Sequence, residues 1–198
     1  MRKTLKRTYS SDDYLSGDGF LTSVWGPMLW SYLHTMSFNY PINPSTSDKK
    51  HYRDFILNLK FVLPCKYCRI NLLKNFRHLP LTMSHMKSRE TFSRYVYNLH
   101  ELVNKMLKKK SGLTYDAVRD RYENFRSRCT IDPKMGIKVI KPQPRKQGKT
   151  RKQKKEKGCT EPLYGKKSKC VIKIVPQEEV QDTFQIDKKC IKTKDPTS

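Results

Sequence analysis

Apolar residues recur at helical spacing through the middle of this chain. Trp25, Leu29, Tyr32, Leu33, Met36 and Tyr40 follow at three- and four-residue intervals, and Pro41 ends the run. That period predicts an amphipathic helix. Tyr52, Phe55, Ile56, Leu59 and Leu63 predict a second, opening after a Ser-Thr-Ser-Asp run suited to N-capping and closing at Pro64. A third, the longest, carries Phe92, Tyr95, Val96, Leu99, Leu102, Val103, Met106 and Leu107, with Gly112 as its C′ residue. Tyr115, Val118, Tyr122 and Phe125 predict a fourth, capped by Thr114. Strand-like alternation is absent from this region. Four helices on short connections, with a turn or short fifth helix after Cys65, predict an all-α bundle.

The pattern also divides the chain. Only Tyr164 and Phe184 among the aromatic residues lie beyond Cys129, so the C-terminal part cannot build much core. Eleven Lys or Arg and a single acid, Glu156, fall between Lys134 and Lys157, with Pro142, Pro144 and Gly148 among them. Such composition predicts a solvated, disordered segment. The expected organisation is an N-terminal basic and polar extension (1–22), a folded domain (23–129) and a basic, mostly disordered tail (130–198). Within the tail, Cys170–Val175 is apolar enough to add a strand to a partner.

Charge extends the picture. The 198-residue chain carries a net +24, which attracts polyanions or simply keeps flexible segments hydrated. No window holds the ~20 apolar residues of a membrane-spanning helix. The N-terminus reaches Asp12 and Asp13 before any apolar run, so a secretory signal is not expected. With no such signal, the six cysteines do not predict a secreted disulfide framework, and catalytic or metal-binding use gains weight.

Cys65 and Cys68 stand three apart directly after Pro64. Proline suits the first turn of a helix, which places Cys65 near a helix N-terminus, where the dipole favours a thiolate. Cys68 shares its face, and Lys66 and Arg69 add positive charge in the same sense. A redox disulfide is one reading. Half of a zinc site is another, with His78, His85 and Cys129 as further ligands, although no second C-x-x-C or H-x₃₋₅-H pair is present. The zinc reading would give a non-enzymatic helical module with a nucleic-acid-binding tail.

Four blocks together bear on that choice. Trp25-Gly26-Pro-Met-Leu-Trp30-Ser-Tyr-Leu-His34, running on to Ser37-Phe-Asn-Tyr40-Pro, resembles the opening helix of the Erv/ALR flavin-linked sulfhydryl oxidases. Pro64-Cys-x-x-Cys68, His100-x-x-Val103-Asn104 with Lys109 beyond it, and the Arg-Tyr122-Glu-Asn-Phe run ending at Cys129 follow in the same order and approximate spacing. The compact domain and basic appendage look most like the versions carried by large DNA viruses.

The resemblance implies a four-helix bundle plus a short fifth helix, holding FAD non-covalently and forming a homodimer. It implies that Cys65 exchanges with protein dithiol substrates and that Cys68 lies against the isoalloxazine ring. Electrons then pass to O₂, giving H₂O₂. By the same resemblance Gly26, Trp30, His34, Tyr40, His100, Val103, Asn104, Lys109 and Tyr122 contact the cofactor, Lys109 through its diphosphate. A virus-like member is expected in host cytoplasm or virion, where the basic tail would meet nucleic acid or virion without sequence specificity. Departures are visible: Glu101 replaces a frequent Asn, Tyr122 a frequent Trp, and no cysteine stands near Ala117 to staple Cys129, so the domain is expected to do without that disulfide. Cys159, Cys170 and Cys190 are candidates for the second, mobile electron-ferrying pair that family members often carry.

Overall fold

The structure is a computed structural model, and it describes residues 10–128, 159–163, 165–176, 178–180, 182 and 184–191. The basic run 134–157, Cys129 and Tyr164 lie outside these residues. Six helices run in order: α1 (Ser11–Leu15), α2 (Thr22–Phe38), α3 (Thr46–Val62), α4 (Lys66–His78), α5 (Arg89–Met106) and α6 (Tyr115–Glu123). Two short strands, β1 (Ser127–Arg128) and β2 (Glu161–Pro162), and a 3₁₀ turn at Lys188–Cys190 complete the described elements. None of the described helices is long and apolar enough to cross a membrane.

The contacts divide the chain between Tyr115 and Asp116. In the first unit α2 packs on α5, α3 on α4, and α4 on α5. Their inward faces meet in one core that includes Leu33, Tyr40, Ile56, Leu59, Leu72, Phe76, Phe92, Tyr95, Val96 and Leu99. Helix starts follow local chemistry. Ser45 accepts from the Asp48 N–H while the Asp48 carboxylate accepts from Ser45, a capping box that satisfies otherwise orphaned donors. Ser88 and Thr91 repeat the arrangement on α5.

Several sequence expectations need correcting. The segment after Cys65, expected as a turn or short fifth helix, is a helix of 13 residues that buries Leu72 and Phe76. Pro64 lies outside it, and Cys65 itself is the N-cap. Gly112 is not the C′ residue of α5: the helix ends at Met106, and Lys108 takes the left-handed conformation at φ 56. Tyr32 and Phe55, expected in the core, are exposed and meet edge to face at 6.0 Å. The N-terminal extension carries α1, which buries no residue, its five-residue length too short for the apolar pattern to reveal.

In the second unit β1 and β2 pair antiparallel, Ser127 opposite Pro162 and Arg128 opposite Glu161. Phe184 packs beside Tyr122 and Phe125 at 6.2 and 5.9 Å, with the Arg121 guanidinium 5.3 Å from its ring centre. Cys170–Val175 forms no strand here.

Candidate redox site

Cys65 and Cys68 are joined as a disulfide, their Cα atoms 5.2 Å apart. Cys65 caps α4 in extended conformation, and the Cys68 N–H donates to Cys65 Sγ at 3.2 Å. A sulfur at this position faces the unpaired N–H groups and positive dipole end of the helix, which stabilise a thiolate when the bond opens. The two sulfurs differ in setting. Both residues are half-buried, but Cys68 packs against the hydrophobic core whereas Cys65 does not. The junction is pinned by Arg69, whose guanidinium donates to the Leu63 carbonyl at 2.6 Å across the intervening proline.

Across the bundle, α2 and α5 bring Trp30, His34 and His100 together. The Trp30 and His100 rings stack 4.0 Å apart, 6° from parallel. His34 Nε2 and His100 Nδ1 lie 3.0 Å apart, in hydrogen-bond contact. Burial pushes His34 down from the usual 6.5 to about 3, with His100 contributing in the same direction. Burial likewise lowers His100 to about 4, against a small opposing pull from Glu101. Both imidazoles are neutral at physiological pH.

At the C-terminal end of α5, Lys105, Lys108, Lys109 and Lys110 line an open cavity of about 550 Å³ with Glu101, Ser111 and Gly112. Asn104 is half-buried and donates to the Glu101 carboxylate at 2.9 Å.

The sequence matches the Erv1 / Alr family over residues 27–123. A probable FAD-linked sulfhydryl oxidase of Acanthamoeba polyphaga mimivirus is 36% identical over 110 residues, covering 56% of this chain and 73% of that protein. The chain belongs to the Erv1/Alr family. An FAD-linked sulfhydryl oxidase of African swine fever virus, isolate Tick/Malawi/Lil 20-1/1983, is 30% identical over 99 residues, 50% of this chain and 80% of that one. Among solved structures the yeast Erv1 core is similar with a TM-score of 0.47 and 24% identity, over 62% of this chain and 96% of that one.

Within this Erv1/Alr chain the expected site residues divide into groups. Trp30, His34 and His100 come together, Val103 and Asn104 continue the same helix half-buried, and Lys109 lies on the cavity. Gly26 sits half-buried on α2, and a Cβ there would meet nothing within 4 Å. Tyr40 stands apart from them: it is fully buried, its hydroxyl donates to the Met86 carbonyl at 3.0 Å, and its ring packs on Tyr52 and Phe92. Core packing accounts for it. Tyr122 lies in the second unit, against Phe125 and Phe184.

Of the candidate zinc ligands, His85 bonds to Thr82 and packs on Tyr95, Cys129 lies outside the described residues, and among the described residues no group of three His, Cys, Asp or Glu side chains is placed to hold a metal ion. Of the tail cysteines, Cys159 is disulfide-bonded while Cys170 and Cys190 are free thiols. Sequence reasoning missed Lys105 as cavity lining; Lys108 and Lys110, the neighbours of Lys109 in the Lys-Lys-Lys run, line it as well. Sequence reasoning also missed Asp18, Gly19 and Phe20, which bond through main-chain atoms to Pro64 and Lys66 on either side of Cys65. No side-chain signal marks that contact.

Proposed function

We propose that this chain is an FAD-linked thiol oxidase that makes disulfides in protein substrates. The observation that carries the reading is the half-exposed Cys65–Cys68 disulfide at the N-terminus of α4. The residues present suit FAD. A parallel Trp–His pair and two neutral imidazoles fit flat heteroaromatic rings, and four lysines about an open cavity fit a diphosphate. Trp30, His34, His100, Val103 and Asn104 would hold the rings, with open space beside Gly26, and Lys109 with its neighbours the phosphates.

In the reaction a substrate thiolate attacks Cys65 Sγ, the sulfur of the residue that is not packed on the core. The Cys65–Cys68 bond breaks, and Cys68 leaves as a thiolate supported by the helix N-terminus. The second substrate thiolate then attacks the substrate sulfur of the mixed disulfide, releasing Cys65 and a substrate disulfide. Bound FAD supplies the two-electron acceptor that O₂ re-oxidises, so two thiols and one O₂ yield one disulfide and one H₂O₂.

The test is oxygen consumption with a reduced protein substrate. Cys65→Ser and Cys68→Ser should each abolish substrate-dependent peroxide formation while leaving the yellow flavin absorbance in place. Parental turnover in either variant would refute the reading.

We infer further that two copies associate through the uncovered face of α2 and α3, where Met28, Tyr32 and Phe55 are exposed. Sedimentation of a Tyr32→Glu variant as monomer, with the parent as dimer, is the expected result. The basic run from Lys134 to Lys157 supports non-specific nucleic-acid contact, which would weaken steeply with added salt. Salt-independent binding would argue against it.

A further inference from the structure

The backbone of residues 18–20 lies along the backbone of the redox motif. The Phe20 N–H donates to the Pro64 carbonyl at 2.8 Å, and the Lys66 N–H donates to the Asp18 carbonyl at 3.1 Å. Gly19 stands opposite Cys65 in an antiparallel bridge. Its φ is +122, and a Cβ there would sit 2.4 Å from the Pro64 oxygen and 2.7 Å from Cys65 Cα. Glycine is therefore required for so close an approach. Among the described residues, the further bond that ties the strap to the rest of the fold comes from the Trp25 indole N–H, which donates to the Phe20 carbonyl at 3.0 Å.

Such a grip is weak. Every residue from Ser10 to Leu21 is exposed, and the preceding helix α1 buries nothing. A segment held by a few main-chain hydrogen bonds, with no side chain in the core, belongs to the least stable part of a fold and opens first. What it covers is a donor and an acceptor flanking a residue in extended conformation, the pattern an incoming strand can read. Exposed apolar side chains lie in sequence beside the same edge and off the strap: Phe61 and Val62 at the end of α3, and Tyr67 two residues past Cys65. They suit an unfolded polypeptide rather than a small hydrophilic thiol.

We propose that the Pro64–Lys66 edge is the seat for the backbone of an extended, cysteine-bearing polypeptide, and that residues 18–20 occupy this seat until such a chain displaces them. The inference rests on the thiol-oxidase reading and names its substrate class: unfolded or partly folded protein, recognised through main-chain pairing beside Cys65. The strap lowers apparent affinity for these substrates by the fraction of time it is closed. A small dithiol, which needs only to reach Cys65 Sγ and no backbone pairing, is indifferent to it.

The experiment uses the full chain. Gly19→Val drives a side chain into the Pro64 carbonyl, and Phe20→Pro removes the N–H that the strap donates. Gly17→Val is the control, since a Cβ there would meet nothing within 4 Å. The first readout is binding of a fluorescent, apolar, extended peptide whose single cysteine is replaced by serine, so that no exchange takes place. Gly19→Val and Phe20→Pro should bind it about tenfold more tightly than the parent or Gly17→Val. The second is oxidation: kcat/KM for a reduced, unfolded protein should rise by a similar factor, while that for dithiothreitol stays within about twofold. Peptide binding that is unchanged or weaker in both variants overturns the proposal, as does an equal gain for dithiothreitol. Should the parent oxidise no thiol at all, the thiol-oxidase reading falls, and peptide binding, which requires no electron transfer, still decides whether the edge is a seat.

Discussion

His34 and His100, sixty-six positions apart in sequence, face each other through Nε2 and Nδ1 at 3.0 Å in the interior between α2 and α5. Folding therefore depends on both remaining uncharged. In the unfolded chain each imidazole takes a proton near 6.5, whereas the folded ones resist until about 4 and about 3. Over that interval the unfolded state binds more protons, so stability falls as pH falls from about 6.5 toward about 4. Thermal melts across this range should show the midpoint dropping steadily, and His100→Phe, which keeps a ring against Trp30, should flatten the slope. A parent midpoint independent of pH between 7 and 4.5 would contradict the buried neutral pair.

Lys108 carries a side chain where the backbone favours glycine. Its φ of 56 at the end of α5 is a left-handed conformation that costs on the order of 1 kcal/mol for a residue with a Cβ. Lys108→Gly should raise the melting temperature of flavin-free protein by a few degrees. The same change removes a positive charge from the cavity edge, so FAD retention in moderate salt should decrease. Opposite signs in the two measurements are the expected result. A gain in both would separate the lysine from cofactor binding.

Tyr40 distinguishes core from cofactor contact. Tyr40→Phe removes the hydroxyl that meets the Met86 carbonyl and leaves a buried acceptor without that donor. The expected loss is about 1–3 kcal/mol of stability. Flavin content and turnover per folded molecule should be unaltered, and a shifted flavin spectrum would return Tyr40 to the cofactor.

Phe92 is fully buried, with the rings of Tyr40 at 4.9 Å and Tyr52 at 5.8 Å. Truncation to alanine leaves a cavity where three elements meet and should cost roughly 3–5 kcal/mol. Against the marginal stability of a domain this size, the variant should melt well below the parent or fail to give a cooperative transition. A melting temperature within a few degrees of the parent would show that this core repacks.

Much of the bundle was legible because burial imposes a helical period. Leu33, Ile56, Leu59, Phe92, Val96 and Leu99 all lie where the apolar stripes put them. The same period misplaced Tyr32 and Phe55, since an aromatic stripe reads alike whether it faces the core or an uncovered side. Helix α4 was underestimated because Cys65 and Lys66 break its stripe early and polar Asn71, Lys74 and Asn75 dilute it. The His pair was visible only as two separate four-residue spacings. Its distance and loss of basicity arise from packing between helices far apart in sequence. Tyr40 is ambiguous in the sequence because a tyrosine's ring reports apolar surroundings but not which apolar surroundings, and its burial against Tyr52 and Phe92 is what packing adds.

Contacts written entirely in main-chain atoms constrain composition in an unusual way. Along the stretch that crosses Cys65, substitutions at Asp18 should be widely tolerated, because only its main-chain atoms are engaged, and at Phe20 any residue but proline preserves the donor. Position 19 alone has no room. A saturation library over residues 16–21 should consequently show one sharply restricted column between permissive neighbours, and the ordering of this protein's N-terminal arm would then be inherited through a single missing methyl group.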